Sequence, residues 1–424
     1  MKFDLPSNSL YGNQPITLDL PDDWKIAVHS FQGEKIPGMS YDEIAQILAQ
    51  KGPNGVPIAQ AAKGCKSAVI IVDDISRPTP LEQVAKAILA ELNKAGVPKD
   101  AIRFVFAVGT HRAMNREEFV RKLGPEIVGE YKIYNHNPFF NTVRVGVTSN
   151  GIPIELNADC VQADFKIAVG ALFPHPNTGI SGGAKTIVPG ISSVETIRRY
   201  HMQPVKRWDL NTVGRQITLE GANMLGLNAK VDVLLNGKGE ITRVFVGNCM
   251  ENVEKNYEEI KAFFTTPRPE PADLVLLNNY FKPSEPDVSI CYPEIFSLVK
   301  PGGQLILGAN SPLGVAAHYI FGKWGENGVG GLAYSGDRKL PENISRYVIF
   351  SEYPERGMGT HYHFDASDPR VRWARTWDEV MENIDPHPKS VLILPYSTVP
   401  YFSPSLSVDG GFRLNWNGTS YKQL

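Results

Sequence analysis

Lys66-Ser-Ala-Val-Ile-Ile-Val-Asp-Asp74 decides the fold class. Its centre is a short, continuous apolar run rich in β-branched side chains, the composition of a strand buried on both faces of a parallel sheet. Beyond it the period changes. Over residues 81–96, Leu81, Val84, Ala85, Ile88, Leu89 and Leu92 share one helical face, and Ala95-Gly96 fits a glycine stop. Ala101-Ile-Arg-Phe-Val-Phe-Ala-Val108 is a second strand, with a helix over 116–123 after it, and Phe165-Lys-Ile-Ala-Val-Gly-Ala-Leu172 is a third. Strand, helix and strand repeated in this order predict an α/β fold with a mostly parallel, doubly wound sheet.

A helical pattern over 253–264 leads into Thr265-Thr-Pro-Arg-Pro-Glu-Pro271, where three prolines in five residues enforce an extended, stiff connection. The βα pattern then resumes, with strands over 274–277, 304–308, 347–351 and 391–395 and helices over 292–299 and 376–384. Two α/β domains are therefore expected, an N-terminal catalytic one over 1–266 and a C-terminal one over 272–400, with the active-site cleft between them. Residues 401–424 have no clear period and are expected to pack back on the first domain.

Composition excludes several classes. The chain has 424 residues, 42% hydrophobic and 21% charged, which is ordinary globular usage. Its 43 basic and 45 acidic residues leave a formal charge of −2, so neither a basic nucleic-acid footprint nor an acidic tail is present. No apolar run approaches the roughly 20 residues that span a bilayer. The opening Met1-Lys2-Phe3-Asp4-Leu5-Pro6 does not resemble a secretory signal. Cys65, Cys160, Cys249 and Cys291 are too scattered for a zinc ribbon. The expectation is a cytoplasmic protein with no nucleic-acid or membrane partner.

Three polar clusters follow the three strands of the first half: Asp73-Asp-Ile-Ser-Arg-Pro-Thr-Pro80, Gly109-Thr-His-Arg112 and Phe173-Pro-His-Pro-Asn-Thr-Gly179. Ligands of open parallel sheets bind outside the carboxyl ends of the strands, so Asp74, Arg77, His111 and His175 should converge on one site. A guanidinium fork at Arg77 matches a carboxylate or phosphate, and Pro78 restricts the loop that aims it. Gly179-Ile-Ser-Gly-Gly-Ala-Lys-Thr-Ile-Val-Pro-Gly190 nearly matches a phosphate-cradling nucleotide loop, but Ala184 replaces the second glycine. Pro189 also follows too soon for a long helix. What remains is a glycine-rich loop whose N–H groups suit one phosphate, with Lys185 as a phosphate partner or a nucleophile. Ser192-Ser-Val-Glu195 reads as a helix start, and His201, at the end of that helix, is a metal ligand or a favourable charge at a helix C-terminus. Thr360-His-Tyr-His-Phe-Asp365 places His361, His363 and Asp365 on alternate positions, as a metal site or a solvated strand face would.

Taken together and in this order, Asp-x-x-Arg-Pro-Thr-Pro, Gly-Thr-His-Arg, Pro-His-Pro, Ser-Gly-Gly-Ala-Lys and a histidine sixteen residues on resemble the lactate racemase family. The resemblance runs from about residue 40 to the strand near 391–396. It implies racemisation or epimerisation of a 2-hydroxy acid by proton-coupled hydride transfer to and from a nickel-pincer nucleotide. That cofactor is a pyridinium-3-thioamide-5-thiocarboxylic acid mononucleotide supplied by dedicated synthesis enzymes. Carried over, the resemblance makes Lys185 the point of covalent cofactor attachment and His201 the nickel ligand. It makes His111 and His175 the acid/base pair, and Asp74 and Arg77 contacts to cofactor and substrate. The family's Tyr-Gln-x-x-Lys stands here as Phe296-Ser-Leu-Val-Lys300. Lys300 is then a substrate contact, and the loss of two polar groups beside it predicts a substrate other than lactate. Two other functions share these residues: an oxidoreductase that releases the keto acid, and a phosphometabolite-binding protein that needs only Arg77 and the glycine loop.

Overall fold

A computed structural model describes residues 1–204, 206–249, 251–285, 289, 293–314, 339–353, 364–365 and 367–403. Among them lie two six-stranded sheets. In chain order their strands are β1 (Ile26–Val28), β2 (Ala68–Val72), β3 (Ile102–Phe106), β4 (Lys132–Asn135), β5 (Phe165–Ala171), β6 (Ala229–Leu235) and β7 (Ile241–Gly247). They continue with β8 (Ala272–Asn278), β9 (Val299–Gly308), β10 (Ile344–Phe350), β11 (Val371–Ala374) and β12 (Val391–Leu394). The α/β class with mostly parallel sheets is as expected.

The unit spanning residues 35–260 contains the sheet β7-β6-β5-β2-β3-β4. All its neighbours are parallel except β6 and β7. β2 is central and every one of its residues is fully buried, which is why the run carries no polar alternation. Burial of each large aliphatic side chain there contributes about 1.5–3 kcal/mol. Val72 pairs with both Phe106 and Val169, so the carboxyl ends of β2, β3 and β5 come to one edge. β3 and β4 lie on one side of β2 and the later strands on the other. The topological switch point therefore falls between β2 and β5.

Helix α1 (Leu81–Lys94) buries the six predicted apolar residues, and Gly96 after it takes a left-handed φ of 83°. Helix α2 (Arg116–Glu130) starts where expected but outruns the predicted end at 123. Gly124, at φ 80°, is the non-helical point, and helix resumes from Pro125.

The other unit joins residues 1–34 to the described residues after 260. Its sheet, β11-β10-β9-β8-β12-β1, is parallel throughout. The structure thus draws the domain boundary differently from the 1–266 and 272–400 division. β1 pairs with β12, Ile26 opposite Val391. Leu5, Leu18, Leu20 and Trp24 share a core with Leu274, Ile306 and Val348. Phe31 packs edge-on against Tyr396, ring centroids 5.2 Å apart. Three residues of β1 are too few to register as an apolar run. The proline-rich stretch also begins as a strand: Thr265–Pro267 pairs in parallel with Tyr401–Ser403, which holds the start of the C-terminal segment inside this unit. Residues 404–424 lie outside the described residues.

Candidate active site

Asp74 follows β2 in a tight turn closed by the Arg77 N–H donating to the Asp74 carbonyl at 3.1 Å. One carboxylate oxygen accepts from Ser76, backbone N at 3.2 Å and hydroxyl at 2.5 Å. The other is 2.6 Å from His111 Nδ1, which the loop after β3 delivers. Burial alone would raise the pKa of this carboxyl. The His111 charge and hydrogen bond, with Arg77 and Ser76, outweigh it and hold Asp74 well below the usual carboxylate range. An ionised carboxylate only accepts, so the proton between the two groups belongs to His111 Nδ1. Arg77 Nη1 donates to the Ser76 hydroxyl at 2.8 Å, so the turn, the dyad and the guanidinium form one hydrogen-bonded group.

Asp73, the preceding residue, faces the interior. Lys122 of α2, fully buried, donates to Asp73 Oδ1 at 2.7 Å and to the Arg77 carbonyl at 2.9 Å. Burial pushes the Lys122 ammonium down, against the pull of Asp73. This pair braces the Arg77 turn from below. The sequence reading missed Lys122, whose only signal was a lysine on the buried side of a helix.

His175 lies in a two-residue bridge, Pro174–His175 paired with Gly179–Ile180, just past β5. It is largely buried, and the Asn177 backbone N–H donates to its Nδ1 at 3.2 Å. The turn is held by helix α4 (Val213–Leu225): its N-cap Thr212 donates through Oγ1 to the Asn177 carbonyl at 2.7 Å.

Lys185, partly buried, sits in a single 3-10 turn, Gly183–Thr186, not at the start of an α-helix. Gly182 enters that turn at φ 75°, where a Cβ would lie 2.5 Å from Leu172 and 2.7 Å from Asp232. The Gly183 N–H donates to Asp232 Oδ1 at 2.7 Å, and Lys230 Nζ meets the same oxygen at 2.8 Å. Both charges are fully buried on β6. The lysine loop therefore rests on a buried ion pair.

Helix α3 (Val194–His201) takes Ser193 as its N-cap, accepting from the Thr196 N–H, while Glu195 pairs instead with Arg198 and Arg199. His201 is its last residue. Nδ1 donates to the Ile197 carbonyl at 2.8 Å, so Nε2 is the atom that could bind a metal. The loops are tied together. Gly109 N–H donates to Gly190 O at 2.9 Å, and Lys206 N–H to Pro176 O at 2.7 Å. Burial pushes the Tyr200 phenol up, opposed by Thr178 and by the charges of Arg215 and Arg77. Asp74, Arg77, His111, His175, Lys185 and His201 all belong to this one unit.

Two expectations are corrected. Lys300 begins β9, at the amino edge of its sheet, and its Nζ bonds Asp273 Oδ2 at 3.0 Å and Ser390 Oγ at 2.9 Å. Ligands bind at the opposite edge of such a sheet, so Lys300 is a strand-end ion pair and not a substrate contact. Phe296 is a core residue packed on Phe364, and Ser297 is exposed, bonded to the Glu294 carbonyl. The case against lactate, which rested on these three residues, falls with them. His361 and His363 lie outside the described residues. Asp365 accepts from Ser367 N and Oγ at 2.9 and 2.7 Å, in a local turn.

Residues 11–212 match the family model of the lactate racemase N-terminal domain. A lactate racemase of Thermoanaerobacterium thermosaccharolyticum is 27% identical over 316 residues, 70% of this chain and 73% of that protein. One of Lactiplantibacillus plantarum is 33% identical over 200 residues, 44% of this chain and 47% of its own. The lactate racemase apoprotein structure from T. thermosaccharolyticum superimposes with a TM-score of 0.69 at 19% identity, covering 95% of this chain and 100% of that one. A Thermotoga maritima protein does so with a TM-score of 0.63 at 17% identity, covering 86% and 99%.

Proposed function

We propose, from the premise that this chain belongs to the lactate racemase family, that it is an isomerase which racemises or epimerises a 2-hydroxy acid with a nickel-pincer nucleotide attached at Lys185. The family uses a nickel-containing cofactor; its attachment here, and the route of hydride and proton, are part of the proposal. The observation that carries it is the Asp74–His111 pair, 2.6 Å apart at the switch-point edge of the sheet, in the same unit as His175 and the lysine loop.

The residues fit such a group. Lys185 is presented from a turn whose preceding Gly182 has no room for a Cβ, so the turn packs directly on Leu172 and Asp232 and the lysine's backbone is held in place for a covalent attachment. His201 offers one imidazole nitrogen, a donor that suits nickel, with its other nitrogen fixed by Ile197. When bound, the cofactor supplies the acceptor and donor of the hydride at C2 of the substrate.

The chain supplies the rest. Arg77 is the cation for the substrate carboxylate, and its fork shape suits that group better than an ammonium. His111 and His175 handle the hydroxyl proton, and Asp74 stabilises the imidazolium that forms on His111. Which 2-hydroxy acid is taken is set by side chains at the carboxyl edge, and lactate is among the candidates.

The test is optical. Loaded protein is given a single stereoisomer of each member of a 2-hydroxy acid panel. At least one member should converge to the equilibrium mixture of stereoisomers, with free keto acid far below one equivalent of substrate. Stoichiometric keto acid would make the protein an oxidoreductase instead.

A further inference from the structure

Four buried charges run beneath the loops of Arg77 and Lys185, and they alternate in sign: Lys122, Asp73, Lys230 and Asp232. Asp73, at the end of β2, takes Lys122 on Oδ1 at 2.7 Å. Its Oδ2 accepts from Thr79 Oγ1 at 2.5 Å and from the Ala171 N–H of β5 at 3.4 Å. On β6, Lys230 Nζ meets Asp232 Oδ1 at 2.8 Å, and Asn252 Nδ2 donates to the other Asp232 oxygen at 3.1 Å. β5 runs between the two pairs, and the residue it sets opposite Asp232 is Gly170. A Cβ there would lie 3.5 Å from Asp73 Oδ2, 3.6 Å from Lys230 Nζ and 3.4 Å from the Thr186 methyl of the lysine turn. Asp73 and Lys230 thus face each other across a position that carries no side chain. Each end of the line holds one loop: Lys122 donates to the Arg77 carbonyl at 2.9 Å, and Asp232 Oδ1 accepts the Gly183 N–H at 2.7 Å.

We infer that these four side chains act as one line, with Lys230 shared between Asp232 and Asp73, and that Asp232 and Lys230 are positioning residues for the attachment lysine. The physical reason is charge balance away from water. Removing one member of a buried pair strands the other, which is strongly destabilising. If the two pairs were independent, losing Lys122 and losing Asp232 would add. In a shared line, losing both end charges leaves Asp73 and Lys230, which neutralise each other over Gly170. Asp232 has a second task that does not need its charge, accepting the Gly183 N–H just ahead of Lys185. That bond fixes where the lysine's backbone stands relative to the Arg77 turn. Its purpose, holding Lys185 for attachment, rests on the proposed function; the charge line does not.

Urea unfolding of the full-length apoprotein tests the line with Lys122→Met, Asp232→Asn and the double variant. Both single variants should lower the midpoint, and the double variant should unfold no earlier than the weaker single. A midpoint below both, lowered by the sum of the single shifts, overturns the shared line. If a single variant fails to fold, a cooperative transition regained in the double supports the line, and continued failure overturns it. Positioning is read in two variants that lack both β6 charges, Lys230→Met with Asp232→Asn and Lys230→Met with Asp232→Leu. They differ in one acceptor oxygen. Hydrogen exchange of the peptide over 182–187 should stay within about threefold of wild type in the Asn variant and be about tenfold faster or more in the Leu variant, with β2 protected in both. If the Leu variant does not fold, Asp232→Ala takes its place in the same background. Co-expressed with pincer-synthesis enzymes, the Asn variant should carry the Lys185 adduct at the wild-type fraction and the Leu variant at about a tenth of it or less. Equal exchange and equal adduct in the two variants contradict the role of Asp232. If wild-type protein carries no adduct while the exchange rates split as stated, the proposed attachment fails and the positioning of the turn stands.

Discussion

Asp73 and Asp74 are adjacent in sequence and do different work. Asp73 turns inward to Lys122 and Thr79, bracing the loop. Asp74 turns to His111. Asp74→Asn keeps the size of the side chain and removes the charge that stabilises an imidazolium. Its expected effect is a fall in kcat of roughly 10²–10⁴-fold, the range for a general base deprived of its function, with little change in KM. Steady-state racemisation rates check this; a kcat within a factor of three of wild type would remove Asp74 from the proton chemistry. Most site residues were legible because each follows a strand directly, and strand ends in a parallel sheet share an edge. Lys300 was misread for the converse reason. A motif spacing says nothing about strand direction, and this lysine stands at a strand's start.

Among the elements, β6 escaped the sequence reading. Ala229-Lys-Val-Asp-Val-Leu-Leu235 interrupts its apolar run with two charges, and the usual rule is that unpaired charges are not buried. Lys230 and Asp232 satisfy each other at 2.8 Å, and Asp232 also holds the loop of Lys185. Another tie joins the end of β4 to the start of α3. His136 Nε2 lies 2.7 Å from the Ser192 carbonyl, and Asn157 Nδ2 lies 3.3 Å from its Nδ1. Burial lowers the His136 pKa from 6.5 to about 4, with the bond to Ser192 opposing. Between those values the unfolded chain binds a proton that the folded chain refuses. This contribution is therefore fully present above pH 6.5 and is lost as pH falls toward 4, by about 3 kcal/mol in all. Urea midpoints at pH 7, 5.5 and 4.5 should show this decline, and His136→Gln should flatten part of it while lowering stability throughout. An unchanged pH slope in that variant would assign the acid sensitivity to other groups.

At the scale of the whole molecule, the first 34 residues belong with the unit of the last strands, a pairing of distant segments that local periodicity cannot reveal. Removing residues 1–34 takes away β1, the hairpin of Lys2–Leu5 with Ile16–Asp19, and Phe31. Limited proteolysis of that truncated protein should leave a resistant fragment close to residues 35–260 and degrade the β8–β12 region. Equal resistance of both regions would mean that the second sheet stands without its sixth strand.

The proposed chemistry depends on Lys185, partly buried in a glycine turn resting on the buried carboxylate of Asp232. Its most direct test is the intact mass of the protein co-expressed with pincer-synthesis enzymes, followed by peptide mapping. The predicted result is one adduct of mononucleotide size on Lys185, absent from Lys185→Ala although that variant folds. A bare mass in fully supplied cells, or an adduct mapped to another residue, would contradict it.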